Sequence, residues 1–148
     1  MPSSFSSLHY HLVFSTKKRV PMIDKSWRDR LHEYTGGTIR SLGGTPEIVG
    51  GVADHVHILT GLKPTHCVSN IIGELKSNVT KWVHDELKQN SFYWQDGYAV
   101  FSVSATVREK VKGYILNQEQ HHHKKTFKEE LIELLEMSGI QYDPKYLD

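Results

Sequence analysis

Ala53-Asp54-His55-Val56-His57-Ile58-Leu59 sets two imidazoles two residues apart inside an otherwise apolar, β-favouring run. Successive side chains on a strand alternate faces. His55 and His57 therefore point one way, while Val56 and Ile58 point into a core. Two neutral imidazoles on one rigid face make half of a metal site, held more firmly by a strand than by a loop. Two surface histidines on a half-buried strand give the same pattern, so the pair is read together with the rest of the chain.

Upstream, residues 8–15 read as a further strand, apolar on both sides in places and so expected at the centre of a sheet. His9 and His11 share one face of it, either as hydrogen-bonded strand histidines or as a source of a third imidazole ligand. Residues 1–6 are Ser-rich and expected to fray. Residues 17–21 form a turn. Trp27, Leu31, Tyr34 and Ile39 then recur at helical spacing, which predicts a helix over 25–42 ended by Gly43-Gly44. Gly36-Gly37 inside it costs about 1 kcal/mol per glycine relative to alanine and predicts a bend or a close backbone approach. A second strand follows over 45–52, turned with the help of Gly50-Gly51, and the histidine strand spans 55–62.

Beyond Pro64, the sequence Val68, Ile71, Ile72, Leu75, Val79, Trp82, Val83, Leu87 is one sustained apolar stripe, the clearest helix in the chain. Its other face carries Lys76, Asn78, Lys81 and Lys88, as a solvated face or one lying along a phosphate backbone. Residues 94–103 read as a fourth strand entered through Asp96-Gly97. Thr106 with Glu109 has the spacing of a capping box, opening a helix over about 106–121 with Val107, Val111 and Ile115 inward. Thr126 with Glu129 opens a last helix, with Leu131, Leu134 and Leu135 inward and Gly139 as its stop. Residues 142–148 form a tail. His121-His122-His123 reads as a solvated helix end, where histidines complement the dipole. The order β-α-β-β-α-β followed by two helices predicts an α+β, ferredoxin-like (RRM-like) fold. It has a four-stranded antiparallel sheet with helices on one face, the other face open and the third strand central.

The 148 residues suit one domain, 1–148, with a real core, and 38% hydrophobic and 24% charged residues place it with globular chains. No apolar run reaches membrane-spanning length and no secretory signal precedes the first strand. The one cysteine, Cys67, rules out an internal disulfide and fits a reducing, cytoplasmic setting. Net charge is only +1, but the signs are segregated. Lys17, Lys18 and Arg19 cluster, and basic residues surround position 114. Glu129, Glu130, Glu133, Glu136, Asp143 and Asp148 gather near the end.

Tyr114 and Gln118 stand four apart on the predicted helix, one above the other at the edge of its apolar stripe. Tyrosine is a competent covalent nucleophile and glutamine offers a carbonyl oxygen to a cation. A core-edge tyrosine beside a surface glutamine has the same spacing. Taken together, ADHVHIL and YILNQ followed by HHHKKTF resemble the single-tyrosine HUH transposases of small bacterial insertion sequences. HYHLVFSTKKR, WQDGYAVFSV and YDPKYLD support the likeness, which spans nearly the whole chain.

The resemblance implies that His55 and His57 bind magnesium or manganese with Gln118 as third protein ligand, without a nucleotide. It implies that Tyr114 attacks a phosphodiester of hairpin-bearing single-stranded DNA, forming a 5′-phosphotyrosine link. It also implies a homodimer in which the tyrosine helix of one copy completes the histidine pair of the other. Phosphate contacts are expected from Lys17, Lys18, Arg19, Lys76, Lys81, Lys112, Lys124 and Lys125. Imidazole suits zinc better than magnesium on softness alone, so the residue types leave the metal open. The alternatives are a domesticated transposase or nuclease associated with repetitive palindromes, or a non-catalytic single-stranded nucleic-acid-binding module. Against the latter, no strand reads as the RNA-recognition signature.

Overall fold

The computed structural model describes residues 4–147. Four strands, β1 (His9–Ser15), β2 (Thr45–Val52), β3 (His55–Gly61) and β4 (Ala99–Val103), form one sheet in the order β2-β3-β1-β4. Every pairing is antiparallel, and Val13 stands opposite His57 in the β1–β3 register. The third strand is central, as its sequence predicts, and β1 lies beside it.

Helices α1 (Lys25–Ser41) and α2 (Val68–Leu87) cover one face. Leu12, Phe14, Val56 and Ile58 of the sheet meet Leu31, Ile39, Leu75, Val79 and Val83 there, each at most 2% exposed. Asp24 caps α1 by accepting from the Ser26 amide, and Gly43 follows it in the left-handed region at φ 93°. Gly36-Gly37 does not interrupt α1, and a Cβ on Gly36 would make only ordinary contact with Val49.

The opposite face is covered, contrary to the expectation of an open one. Helix α3 (Arg108–Leu116) lies over β2 and β3, followed by α4 (Gln118–His121) and α5 (Phe127–Met137). Leaving Leu59 and Val103 in water would forfeit their burial. Instead they pack with Ile115, flanked by Ile48, Val111 and Tyr114. Gly50 makes this approach possible. A Cβ there would stand 2.7 Å from the Ile115 carbonyl oxygen, so Gly50 sits within β2 as a seat for α3 and does not end the strand.

Three boundaries differ from the sequence reading. The fourth strand is shorter, because Gly97 at φ 88° breaks the ladder and leaves Trp94 joined to Thr16 by a single bridge. The tyrosine helix is not opened by Thr106 and Glu109. Ser104 accepts from the Thr106 amide, one 3-10 turn follows over Ala105–Val107, and Val107 is 43% exposed and not part of an inward stripe. The helix is also interrupted at Asn117, which separates α3 from α4. By contrast, the Thr126–Glu129 capping box of α5 is formed reciprocally. The tail carries a further 3-10 turn, Pro144–Leu147, whose Leu147 is buried. Residues 1–3 of the segment expected to fray lie outside the described residues.

Candidate functional site

Because β3 alternates, His55 and His57 enter the face under α3 and α5, and both are fully buried. His55 Nδ1 lies 2.7 Å from Asp54 Oδ1, a carboxylate supplied by the β2–β3 turn. That contact orients the ring and leaves Nε2 to face inward. His57 Nδ1 lies 2.7 Å from His11 Nε2, so His11 supports the pair from behind. His9 belongs elsewhere. Arg108 Nη1 lies 3.1 Å from its ring and Arg108 Nε 3.0 Å from Glu47 Oε1, tying the start of α3 to the sheet.

The C-terminal helices bring the remaining groups. Gln118 Oε1 is 3.0 Å from His55 Nε2, and its amide Nε2 donates to Glu130 Oε2 at 2.9 Å. Tyr114 donates its hydroxyl hydrogen to that same Glu130 Oε2. Its ring stands edge-on to His57, with centroids 5.8 Å apart. The four residues singled out by the sequence, His55, His57, Tyr114 and Gln118, thus meet within one chain.

Two residues at their centre were not singled out. Glu130, only 2% exposed, places Oε1 3.0 Å from His57 Nε2, 3.0 Å from His122 Nε2 and 3.3 Å from His55 Nε2. His122 Nε2 also lies 3.1 Å from Gln118 Oε1. Both had a sequence signal. Glu130 falls three residues after Phe127 and four before Leu134, inside the stripe that α5 buries, and His122 falls four after Gln118 as Gln118 does after Tyr114. Of the other histidines in the run, His121 lies against the Tyr114 ring and His123 is exposed.

The electrostatics follow from these contacts. Burial opposes the charged form of His55, but hydrogen bonds to Asp54 and Glu130 override it and hold the ring up at about 9. Burial dominates at His57, which is pushed down to about 4 against the pull of Glu130, and at His11, down to about 3. Despite its burial, Glu130 is held well below the usual carboxylate range by His122, His55 and His57. Burial and the Glu130 carboxylate together push the Tyr114 phenol far above its ordinary range.

Part of the donor set fits a divalent cation: one atom each of His55, His122 and Glu130 lie within 4.8 Å of one another, a group that leaves out His57. Ligand atoms about 2.1 Å from one ion, at right angles, stand about 3 Å apart, which is the spacing of the contacts around Glu130 Oε1 and Gln118 Oε1. A ring also lies flat over the site: Phe127 stacks on His55 at 4.3 Å between centroids, and the Arg19 guanidinium sits 5.2 Å over Phe127.

The expected basic residues are not gathered in one place. Lys17 and Lys18 are exposed on the turn that carries Arg19, and Lys18 and Arg19 both have φ 55°, uncommon for residues other than glycine. Thr16 ties this turn to the Asp54 carbonyl. Lys124 and Lys125 line a cleft of about 680 Å³ beside His122 and Phe127, although Lys125 is paired with Glu133. Lys112 is half-buried on α3. Lys76 and Lys81 ride on α2, across the sheet from the histidines, and Lys76 Nζ donates to the Gln95 and Gly97 carbonyls.

Fold and site together define an α+β protein whose ferredoxin-like sheet buries paired imidazoles beneath a tyrosine-bearing helix. Residues 4–118 match the model of the family described as IS200-like transposase, and the chain belongs to that family. No curated protein matches. Among solved structures, it is similar to a proposed transposase of Deinococcus radiodurans R1, at 23% identity and TM-score 0.63 over 80% of this chain and 95% of that one. It is also similar to a REP-associated tyrosine transposase bound to a REP hairpin, at 12% identity and TM-score 0.57 over 82% of this chain and 72% of that one. At those identities the structural likeness speaks for the fold. The resemblance to tyrosine transposases seen in the sequence agrees with the family. No described helix is long and apolar enough to cross a membrane.

Proposed function

We propose that the chain cuts and rejoins single-stranded DNA at hairpin-marked ends, with Tyr114 as nucleophile and His55, His57 and Gln118 holding magnesium or manganese. What supports this reading is one convergence: the Tyr114 hydroxyl, both imidazoles and the Gln118 carbonyl meet in a single buried cluster. The cation supplies Lewis acidity, drawing charge from the non-bridging phosphate oxygens.

The chain's own residues do the rest. Tyr114, packed on the sheet through α3, presents its oxygen for in-line attack. The new bond joins the phenol oxygen to phosphorus and the P–O3′ bond breaks. A 3′-hydroxyl leaves with a proton from water, and the phenol hydrogen is already directed at the Glu130 carboxylate. Phosphotyrosine and phosphodiester are close in energy, so a 3′-hydroxyl reverses the step without ATP. Hairpin recognition is carried over from the neighbour bound to a REP hairpin, with Lys17, Lys18, Arg19, Lys112, Lys124 and Lys125 as phosphate contacts and Lys76 and Lys81 on the far side of the sheet. Function in a cytoplasmic setting belongs to the same reading.

Incubating the protein with hairpin-bearing single-stranded DNA and manganese is expected to give a covalent protein–DNA band on a denaturing gel. Tyr114→Phe should lose it, and a chelator should abolish cleavage while sparing hairpin binding. Absence of any band sinks the reading in favour of a binding module. The homodimer with exchanged tyrosine helices is tested in the same assay. Tyr114→Phe mixed with His57→Ala recovers cleavage only if one copy's phenol serves the other's histidines.

A further inference from the structure

Three imidazoles aim the same nitrogen at one carboxylate oxygen, and their far sides explain why. His55 Nδ1 faces the Asp54 carboxylate and His122 Nδ1 faces the Lys125 carbonyl, each at 2.7 Å. Both partners only accept hydrogen bonds, so both Nδ1 atoms carry the hydrogen. A ring that ligates a metal has given up its Nε2 hydrogen, and the Nε2 of both rings then presents a lone pair toward Glu130 Oε1, which itself has only lone pairs. A single oxygen cannot accept well from three rings at once. The pattern of lone pairs converging at close to 3 Å is what a shared cation resolves.

We propose that Glu130 and His122 are ligands of the cation together with His55, the three offering one atom each within 4.8 Å of one another, with the Gln118 amide oxygen beside them. Such a site selects a first-row transition-metal dication over magnesium. This rests on the metal site put forward above and extends it to the segment 122–130. Magnesium favours all-oxygen surroundings and keeps its waters, whereas imidazole nitrogens suit zinc, copper, iron and nickel, with manganese at the weak end of the same first-row series. The two oxygens of Glu130 then serve different partners. Oε1 faces the cation, while Oε2 accepts from the Tyr114 hydroxyl and the Gln118 amide. One side chain on α5 thereby sets the distance between nucleophile and metal.

The test is metal binding to the full chain without DNA, by calorimetry and by loss of the free manganese(II) electron-spin resonance signal. Wild type is expected to bind manganese at least about tenfold more tightly than magnesium, and Glu130→Gln to weaken manganese by about a hundredfold, the scale for a lost site partner. His122→Asn, on the turn that follows α4 and outside the sheet and its main core, should weaken it at least about tenfold. Circular dichroism checks that each variant is folded, and if Glu130→Gln is not, His122→Asn decides alone. Folded variants that bind manganese as wild type does overturn the ligand assignment while leaving the proposed reaction standing, and faster cleavage by such a Glu130→Gln protein would make the carboxylate a plug. Equal affinity for magnesium and manganese overturns the cation class. Wild type that binds neither ion removes the metal-assisted reaction as well.

Discussion

The two faces of one sheet have been put to opposite uses. Toward α1 and α2, strands β1 and β3 present Leu12, Phe14, Val56 and Ile58, a continuous apolar layer. Toward α3, α4 and α5 the same strands present His11, His55 and His57, and the helices answer with Gln118 and Glu130, all at most 5% exposed. The first face is held by area removed from water. The second buries polar groups whose cost is offset only because each has a partner. Among the described residues the second face has a smaller apolar cluster, Leu59, Val103 and Ile115, with Val13 and Phe127 buried beside the histidines, so stability and chemistry are drawn unequally from the two sides of the same strands.

Neighbouring residues of β3 put this contrast to its hardest trial. Ile58→Ala and Leu59→Ala both empty a fully buried site, but on opposite faces. Ile58→Ala should cost about 3–5 kcal/mol in urea unfolding, and Leu59→Ala about 2–3, since the thinner layer under α3 can collapse further. Equal losses would break the contrast. Gly50→Ala should cost about 1–3 kcal/mol through overpacking, because the added Cβ meets the backbone oxygen and the side chain of Ile115. It should also reduce strand cleavage by displacing α3, while a variant with full stability would show that α3 has room to shift.

The smallest effect concerns a histidine whose neighbouring carboxylate, Asp29, is outweighed by burial. Burial pushes His32 on α1 down to about 4 and leaves its Nε2 without a partner, whereas His55, with Asp54 and Glu130, stands at about 9. A depressed folded value means that stability is present above the unfolded value of 6.5 and is lost as pH falls toward 4. His32→Gln should therefore flatten the acid limb of stability by on the order of 1 kcal/mol, read from urea midpoints at neutral and mildly acidic pH. An unchanged limb would show that His32 does not titrate there.

Sequence periodicity made the first face legible and the second only in part. The α2 stripe and the alternation of β3 determine who packs on whom, because apolar burial is strong and non-directional. Tyr114 and Gln118 were legible through their spacing. Glu130 was hidden among Glu129, Glu133 and Glu136, where an acidic residue reads as solvated, and its partners lie 73 and 8 residues away at His57 and His122. The open sheet face was misread because nothing local tells a trailing helix to fold back, and Gly50, the residue that permits it, read as a turn. The family match, too, stops at residue 118, before either His122 or Glu130.

The reciprocal cap at the start of α5 acts as an index mark for the whole site. It fixes which residue begins the helix and hence the compass bearing of every side chain after it. Deleting Lys128 would leave the cap intact, with Glu130 moved up into the place of Glu129. Each later side chain would swing by about 100° around the helix axis, and Leu131 would take the bearing that Glu130 now holds. The imidazoles would then face an isobutyl group, while the sheet, α1 and α2 kept their places. In this molecule a single-residue slip far from every strand is enough to disarm the site without unfolding the protein.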